Sequence, residues 1–236
     1  MADIKISVIT VTYNSAKSLK DTIASVLDQT CPPYEYIIKD GGSTDDTLKV
    51  AESFRLGFES RGIIYKIVSE PDKGIYDAMN AGIRLASGDI IGLINSDDWY
   101  EANALCEVKR VYEEKGFDLF YADIRMHMEN GRTFIKHSRS RAYMTSRDWN
   151  HPTTFITKKI YDDHQYRTET IHDDYDLILR LKKEGVHIEV SDKVLANFRM
   201  NGVSHKRDIK KAIERIRIKY GIYRRNGYSR LYFFEC

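Results

Sequence analysis

Two adjacent carboxylates follow a short apolar run near the middle of the chain. Residues 90–94 read Ile-Ile-Gly-Leu-Ile, and Asn95, Ser96, Asp97 and Asp98 come directly after them. The apolar run predicts a strand buried on both faces, with the two carboxylates at its carboxyl end. Neighbouring carboxylates repel each other and resist desolvation, and a divalent cation or a hydrogen-bonded polyol would offset that cost. The alternative is a solvated turn in which aspartate caps the following helix.

The segments before this stretch alternate between strand and helix patterns. Apolar, mostly β-branched runs predict strands at residues 4–11, 36–38 and 63–68, and helical spacing predicts helices between the strands. This alternation favours an α/β fold with a doubly wound, mainly parallel sheet. Ligands bind such sheets at the carboxyl edge, where three of the first four predicted strands end in polar residues.

The pattern changes after about residue 117. The predicted elements there are strands at 117–122, 187–190 and 194–199, a hairpin at 124–136 and a helix at 173–184. We therefore expect a mixed, partly antiparallel second half. The prediction is one domain over residues 1–205, with halves at 1–116 and 117–205, followed by a basic tail at 206–236.

Composition limits the class of protein. Hydrophobic residues make up 42% of the 236 residues, and no apolar run approaches the ~18 residues of a membrane-spanning helix. The amino terminus enters a strand pattern directly, so we expect no signal peptide. Cys31, Cys106 and Cys236 lie far apart, which predicts reduced thiols in a cytoplasmic protein.

The positive charge of the chain is concentrated in its tail. From Lys206 onward there are ten basic and three acidic residues, a net charge of +7. The whole chain has a net charge of +2, so residues 1–205 have a net charge of −5. Apolar side chains recur at helical spacing from Ile209 to Tyr223, with Lys and Arg between them. This pattern fits contact with an anionic membrane surface, a helix packed on the domain, or an oligomer contact. Nucleic-acid binding is disfavoured, because the carboxylate edge would repel phosphates.

Six motifs in order resemble a known family. They are Val11–Asn14, Asp40–Asp45, Asp72–Asn80, Asn95–Asp98, His172–Leu177 and Phe198–Ser204. Their order and spacing resemble the inverting family 2 glycosyltransferases of the GT-A fold, most closely the small bacterial enzymes of O-antigen (lipopolysaccharide), capsule and exopolysaccharide biosynthesis. The resemblance implies transfer of a hexose or N-acetylhexosamine from a UDP-sugar to a saccharide acceptor, expected to be lipid-linked. Residues 1–116 would then be the nucleotide-binding half and 117–205 the acceptor half.

The resemblance also implies roles for the residues at the sheet edge. Thr12, Tyr13 and Asn14 would line the nucleoside pocket, Asp40 would accept a hydrogen bond from the base, and Asp97 would bind ribose or sugar hydroxyls. For Asp40, the alternative is an ordinary turn aspartate before two glycines.

A metal ion is the implied cofactor. Asp98 would coordinate Mn²⁺ or Mg²⁺ across the two phosphates, with His205 as a further ligand, and the cation would act as a Lewis acid. The remaining donor-site candidates are Lys73, Asp77, Arg199 and Ser204. A solvated lysine and a helix cap are the alternatives for Lys73 and Asp77.

The implied acceptor side contains the general base. Inversion needs a group that takes the proton of the acceptor hydroxyl, and Asp174 occupies the family's position for it, with Asp173 beside it. The alternative is a helix start that is rich in Asp because the helix dipole favours it. Trp99, Trp149 and His151 are further acceptor-side candidates, with core packing as the alternative for Trp149 and His151.

Other functions remain as rivals. A sugar nucleotidyltransferase should have a Gly-rich basic loop after the first strand, and Thr12-Tyr13-Asn14-Ser15 lacks one. A non-catalytic nucleotide-sugar-binding scaffold would not need both Asp98 and Asp174. An oligomer is compatible with the sequence, and we expect a cytoplasmic protein whose tail is a candidate peripheral contact with the inner face of the membrane.

Overall fold

A nine-stranded sheet forms the centre of the protein, whose computed structural model describes residues 4–200 and 209–235. The strands are β1 (Ile6–Thr12), β2 (Glu35–Asp40), β3 (Ile64–Ser69), β4 (Ile90–Leu93), β5 (Trp99–Tyr100), β6 (Leu119–His127), β7 (Thr133–Lys136), β8 (Phe155–Thr157) and β9 (Ile188–Arg199). The helices are α1 (Leu19–Leu27), α2 (Thr47–Glu52), α3 (Arg55–Ser60), α4 (Ile75–Leu85), α5 (Ala104–Lys115), α6 (Lys158–Asp163), α7 (Asp173–Glu184) and α8 (Ile209–Arg225).

The strand order confirms the predicted α/β class. It runs β3-β2-β1-β4-β8-β6-β9-β5, with β7 paired to β6 as a hairpin. The first four strands in this order are parallel, whereas β8 is antiparallel to both of its neighbours. The sheet is therefore parallel in its first half and mixed in its second, as expected.

Several strand boundaries differ from the prediction. The two strands expected at 187–190 and 194–199 are one strand, β9, whose register against β6 shifts around Asp123. The extra residues lie in β9, where the bulge interrupts the alternation of side chains that marks a strand. The predicted segments at 117–122 and 124–128 are likewise joined in one strand, β6. The sequence did not indicate β5 and β8, which have only two and three residues.

Two cores lie on the two faces of the sheet. Ile6 and Val8 of β1 pack in the first core with α1 and α5, whereas Ile9 and Val11 pack in the second with α4 and α7. The second core also contains side chains from the basic tail, namely Ile222, Tyr223 and Tyr232. The packed-helix alternative therefore holds for this part of the tail. Across the described ranges, no helix is long and apolar enough to cross a bilayer.

A disulfide joins Cys31 to Cys106, 75 residues apart in sequence. Cys31 follows α1 and Cys106 lies in α5, and both helices pack on the same core, which brings the two sulfurs together. The expectation of reduced thiols is therefore wrong for this pair. Cys236 lies outside the described residues.

Candidate functional site

The polar ends of the parallel strands meet at one edge of the sheet. Thr12 stands opposite Asp40, and Asp40 stands opposite Ser69. Strand β4 pairs with β1 in parallel, so the residues after Leu93 extend from the same edge. Thr12 is buried, and its hydroxyl has no hydrogen-bond partner within the described residues.

The loop after β1 is tied to the loop after β2. The amide of Asn14 donates to Ser43 Oγ at 2.8 Å, and the amide of Thr44 donates to Asn14 Oδ1 at 2.9 Å. Asn14 has a φ of 50°, in the left-handed region that Asn tolerates better than most residues. This loop leaves the side chain of Tyr13 63% exposed, so its ring is accessible at the sheet edge.

Asp40 holds the loop that follows it. Its carboxylate accepts hydrogen bonds from the amides of Gly42 (3.0 Å) and Ser43 (2.9 Å) and from the hydroxyls of Ser43 (2.5 Å) and Ser69 (2.7 Å). Burial alone would raise the pKa of Asp40, but the hydrogen bonds from Ser43 and Ser69 outweigh it and lower the pKa. The carboxylate is fully buried, so the predicted contact with a base would require this loop to open.

A second loop closes against Gly41. A Cβ at this position would lie 2.5 Å from Asp72 Oδ2, so a larger residue would displace this carboxylate. The amide of Lys73 donates to Asp77 Oδ2 at 3.0 Å, which makes Asp77 a cap for the start of α4. The side chain of Lys73 is exposed beside this edge.

Asp98 is a buried carboxylate with an unused oxygen. Its Oδ1 accepts a hydrogen bond from the amide of Arg199 at 3.2 Å, whereas Oδ2 has no partner within the described residues. Burial and the nearby charge of Asp97 raise the pKa of Asp98 well above its usual value, against the opposing effects of Arg199 and Asn95. Burial also raises the pKa of Asp97, which is half-buried. Asn95 Oδ1 is a second buried oxygen without a partner in the described chain.

These oxygens fit a hard divalent cation. Residues 4–200 and 209–235 contain no group of three or more His, Cys, Asp or Glu side chains that could hold a metal ion. Mg²⁺ in particular is commonly bound by one or two protein carboxylates together with substrate phosphates and water. Asp98 and Asn95 could supply the protein's share of such a site. His205 and Ser204 lie outside the described residues.

Arg199 connects β9 to this edge and covers Trp99. Its guanidinium lies 4.7 Å from the centre of the Trp99 ring, and its Nη2 lies 2.5 Å from Asp21 Oδ2. The ring of His127 is 4.8 Å from that of Trp99. Because Arg199 and His127 already contact the indole ring, stacking of a sugar on Trp99 would require Arg199 to move.

Asp174 borders a cavity of about 510 Å³ that is lined by residues between Ile124 and Lys219. Its side chain is 22% exposed, and its Oδ2 lies 3.6 Å from Nδ1 of His151. Both ring nitrogens of His151 are buried without a hydrogen-bond partner in the part of the chain that the structure describes. Burial lowers the pKa of His151 although the charge of Asp174 opposes this shift, which favours a neutral imidazole. The arrangement combines a carboxylate with a neutral imidazole at a cavity large enough for a small molecule.

The other two acids in the first turn of α7 have structural positions. Asp173 is fully buried, and its Oδ2 accepts hydrogen bonds from the amides of Glu169 (2.6 Å) and Thr170 (3.0 Å). Asp176 is also fully buried, with Oδ1 at 2.8 Å from Nε of Arg225. The side chain of Asp173 therefore has no surface for an acceptor.

Trp149 is a packed side chain that also lines the cavity. It is 6% exposed, and its Nε1 donates to Thr154 Oγ1 at 2.8 Å. Its ring contacts those of His151 and Tyr175. Packing thus fixes Trp149, and one part of the indole faces the cavity.

A sequence model of glycosyl transferase family 2 matches residues 7–174. The chain belongs to this family. The matched region begins in β1 and ends at Asp174, so it contains the sheet edge and the carboxylate at the cavity.

Curated family 2 relatives cover part of this chain. The PGL/p-HBAD biosynthesis glycosyltransferase of Mycobacterium bovis (strain BCG / Pasteur 1173P2) is 39% identical over 134 residues, which are 56% of this chain and 51% of that protein. Chondroitin synthase of Escherichia coli is 29% identical over 185 residues, 73% of this chain and 26% of that protein. The chain thus matches about half the length of the first relative and less of the second.

Solved structures share the fold. TarS 1–349 of S. aureus in complex with UDP has a TM-score of 0.69 and 20% identity, covering 98% of this chain and 68% of that one. The mannosyltransferase PcManGT of Pyrobaculum calidifontis, in complex with GDP-Man and Mn²⁺, has a TM-score of 0.70 and 16% identity, covering 98% and 67%. These likenesses confirm the GT-A fold.

Sequence reasoning gave no role to four basic residues that line the cavity. They are Lys136, His172, Arg215 and Lys219. Lys136 ends the hairpin strand β7, and the last two lie on α8, beyond the region that the family 2 model matches. The charge of the tail was visible in the sequence, but helical periodicity does not indicate which partner a helix face will meet.

Proposed function

We propose that this chain is an inverting glycosyltransferase that moves a hexose or N-acetylhexosamine from a UDP-sugar to a saccharide acceptor. The observation that carries the proposal is that Asp174, alone among the three acids in the first turn of α7, lines the cavity of about 510 Å³. The structural neighbours named with UDP and with GDP-Man support a nucleotide-sugar donor. The edge formed by β1, β2 and β4 would hold that donor.

Asp174 would act as the general base. The acceptor hydroxyl attacks the anomeric carbon, the bond from that carbon to the diphosphate breaks, and Asp174 takes the hydroxyl proton. A positioned base typically contributes about 10²–10⁴ in rate. Neutral His151, 3.6 Å from Asp174, leaves the carboxylate free to accept that proton. Displacement from the opposite face gives a β-linkage from an α-linked donor.

Asp98 and Asn95 would hold Mn²⁺ or Mg²⁺, with His205 as the further predicted ligand. When bound, the cation would stabilise negative charge on the departing diphosphate as a Lewis acid. The amide of Arg199 fixes one oxygen of Asp98 and leaves the other unpaired within the described residues. Lys73, Arg199 and Ser204 are the proposed phosphate contacts, and Thr12, Tyr13 and Asn14 the proposed nucleoside contacts.

The tail would place the enzyme at an anionic membrane surface, where a lipid-linked acceptor is available. Leu231, Phe233 and Phe234 are 64%, 56% and 84% exposed, and basic residues precede them in sequence, Arg230 directly before Leu231. Exposed aromatic side chains beside basic residues fit an interfacial contact. Because the chain spans about half of the curated relatives it matches, the acceptor of the whole protein is part of this proposal.

Calorimetric titration with UDP and GDP, with and without Mn²⁺, tests the donor site. We expect UDP to bind more tightly than GDP and Mn²⁺ to strengthen the binding. A panel of UDP-sugars is then screened for slow hydrolysis and for transfer, with the anomeric configuration of the product read by NMR. Absence of nucleotide binding, or an α-linked product from an α-linked donor, would overturn the proposal. Binding of UDP without any turnover would favour a non-catalytic scaffold.

A further inference from the structure

The acceptor cavity has a positive lining. Apart from Asp174, the charged side chains that line it are Lys136, Arg215 and Lys219. They come from β7 and α8, which lie far apart in sequence. With both histidines neutral, the lining carries three positive charges and one negative charge. A neutral sugar would not need this excess of cations.

Lys136 is a partly buried cation of this lining. Its Nζ donates to the carbonyls of Trp149 (2.8 Å) and Ser146 (3.4 Å), and within the described residues it forms no ion pair. An ammonium group has three donors, so one remains unused. Burial lowers the pKa of Lys136 to about 8, against the attraction of Asp148 and Asp174. Desolvation of a cation that forms no ion pair is costly, and a bound anion would offset that cost.

The other two cations of the lining, Arg215 and Lys219, lie on α8. Arg215 is partly exposed and makes no ion pair with any residue of the described ranges, whereas Lys219 pairs with Glu235 at 3.0 Å. Burial lowers the pKa of His172, and the charges of Lys219 and Arg215 lower it further against the larger opposing effect of Asp174. A guanidinium binds carboxylates and phosphates through two parallel hydrogen bonds.

We propose that the acceptor carries an anionic group, a carboxylate or a phosphate, that binds to Lys136 and Arg215 while its reacting hydroxyl faces Asp174. The inference rests on the proposed function, since it concerns the same cavity. Asp174 repels an anion and the two cations attract it, so the charge pattern would also orient the acceptor. A neutral sugar could enter in more than one orientation.

Binding of matched sugars to the full chain tests this proposal. The probes are p-nitrophenyl β-glucoside, the corresponding β-glucuronide and the corresponding 6-phosphate, each titrated with and without UDP and Mn²⁺. We expect at least one acidic probe to bind about tenfold to a hundredfold more tightly than the neutral probe, the usual effect of one charge-assisted hydrogen bond. The two acidic probes distinguish a carboxylate site from a phosphate site.

Two variants on α8 distinguish the effect of charge in the cavity from the effect of the overall charge of the protein. Arg215→Gln should abolish the preference, whereas Arg217→Gln, which removes the same charge from an exposed side chain outside the lining, should retain it. Lys136→Met should also abolish the preference for the acidic probes. Equal affinity of the wild type for all three probes, or an equal loss in both arginine variants, would overturn the proposal. UDP affinity in the same samples reports on the donor site separately, so failure of the proposed function is distinguishable.

Discussion

The donor edge and the acceptor cavity are built in different ways. At the donor edge, the loops after β1 and β2 bond to each other, and Asp40 alone accepts four hydrogen bonds. At the cavity, both ring nitrogens of His151 are buried without a partner within the described residues. Buried polar atoms are normally paired, so unpaired ones suggest that a ligand completes them. At the sheet edge, hydrogen bonds fix the loops, and the unpaired buried atoms of the described residues there are single oxygens of Thr12, Asn95 and Asp98. The difference indicates that folding fixes the loops of the sheet edge, whereas a whole imidazole ring at the cavity is left to a ligand.

Two buried aspartates differ in whether an ion pair stabilises their charge. Asp176 lies near three arginines, with Arg225 Nε at 2.8 Å, Arg180 Nε at 3.5 Å and Arg167 Nε at 3.7 Å. Asp98 is buried to the same extent, and in the described part of the chain each of the two carboxylates has one oxygen without a hydrogen bond, but Asp98 forms no ion pair there. The first carboxylate belongs to the fold, and the second is available to a ligand.

The largest effect on activity is expected at the acceptor cavity. Asp174→Asn should lower sugar transfer by about 10²–10⁴, because the amide cannot take the hydroxyl proton. UDP and Mn²⁺ binding should not change, since the side chain lines the acceptor cavity rather than the sheet edge. Asp163→Asn, at an exposed position on α6, is the matched control. A normal transfer rate for Asp174→Asn would remove this residue as the base.

Asp176→Asn should destabilise the fold instead. Removing one partner of a buried ion pair typically costs about 3–5 kcal/mol, and here it leaves Nε of Arg225 without its carboxylate partner. The free energy of unfolding in urea measures the loss. For this reason Asp176 and the fully buried Asp173 are unsuitable as activity controls for Asp174. An unchanged unfolding free energy would mean that the arginines do not depend on this carboxylate.

The sequence predicted the donor edge better than the cavity. Thr12, Asp40 and Asp98 follow strands that could be recognised from apolar runs, and parallel strands bring such ends together. The cavity requires Lys136, the segment around His151, the start of α7 and one face of α8 to meet. That meeting depends on the bulged pairing of β6 with β9 and on the packing of α8, which no local pattern encodes. The pairing of Cys31 with Cys106 was missed for the same reason.

Asp98→Asn should lower activity while stabilising the protein. Loss of this carboxylate should reduce turnover by at least ~10²-fold and abolish the effect of Mn²⁺ on UDP affinity. Burial and Asp97 raise the folded-state pKa of Asp98 above its unfolded value, so the ionised side chain destabilises the fold as pH rises. The variant should therefore be more stable than wild type in metal-free buffer. The difference in stability between the variant and the wild type should grow as pH rises, and it should vanish well below the ordinary pKa of aspartate, about 4.

Thermal unfolding with a chelator, from acid to mildly alkaline pH, measures this difference. The contrast with Asp176→Asn is the informative result, because both changes neutralise a buried aspartate. If Asp98→Asn destabilises the fold as Asp176→Asn does, then Asp98 is a structural residue. The proposed metal site would then lose its main support.

The smallest effect is expected at the exposed end of the tail. This test separates two parts of the tail, because α8 lines the cavity whereas Phe233 and Phe234 follow α8 and are exposed. Phe233→Ser combined with Phe234→Ser should weaken binding to phosphatidylglycerol vesicles by about tenfold, since both rings are largely exposed. Leu56→Ser, on the exposed surface of α3, is the control. Wild-type binding should fall with added salt, because the basic residues of the tail are screened. Tyr223 and Tyr232 are buried in the second core, so removal of the whole tail would disturb the fold and could not test this contact. If the double variant binds vesicles as well as wild type does, the proposed membrane contact is wrong, and the tail contributes only to the cavity and the second core.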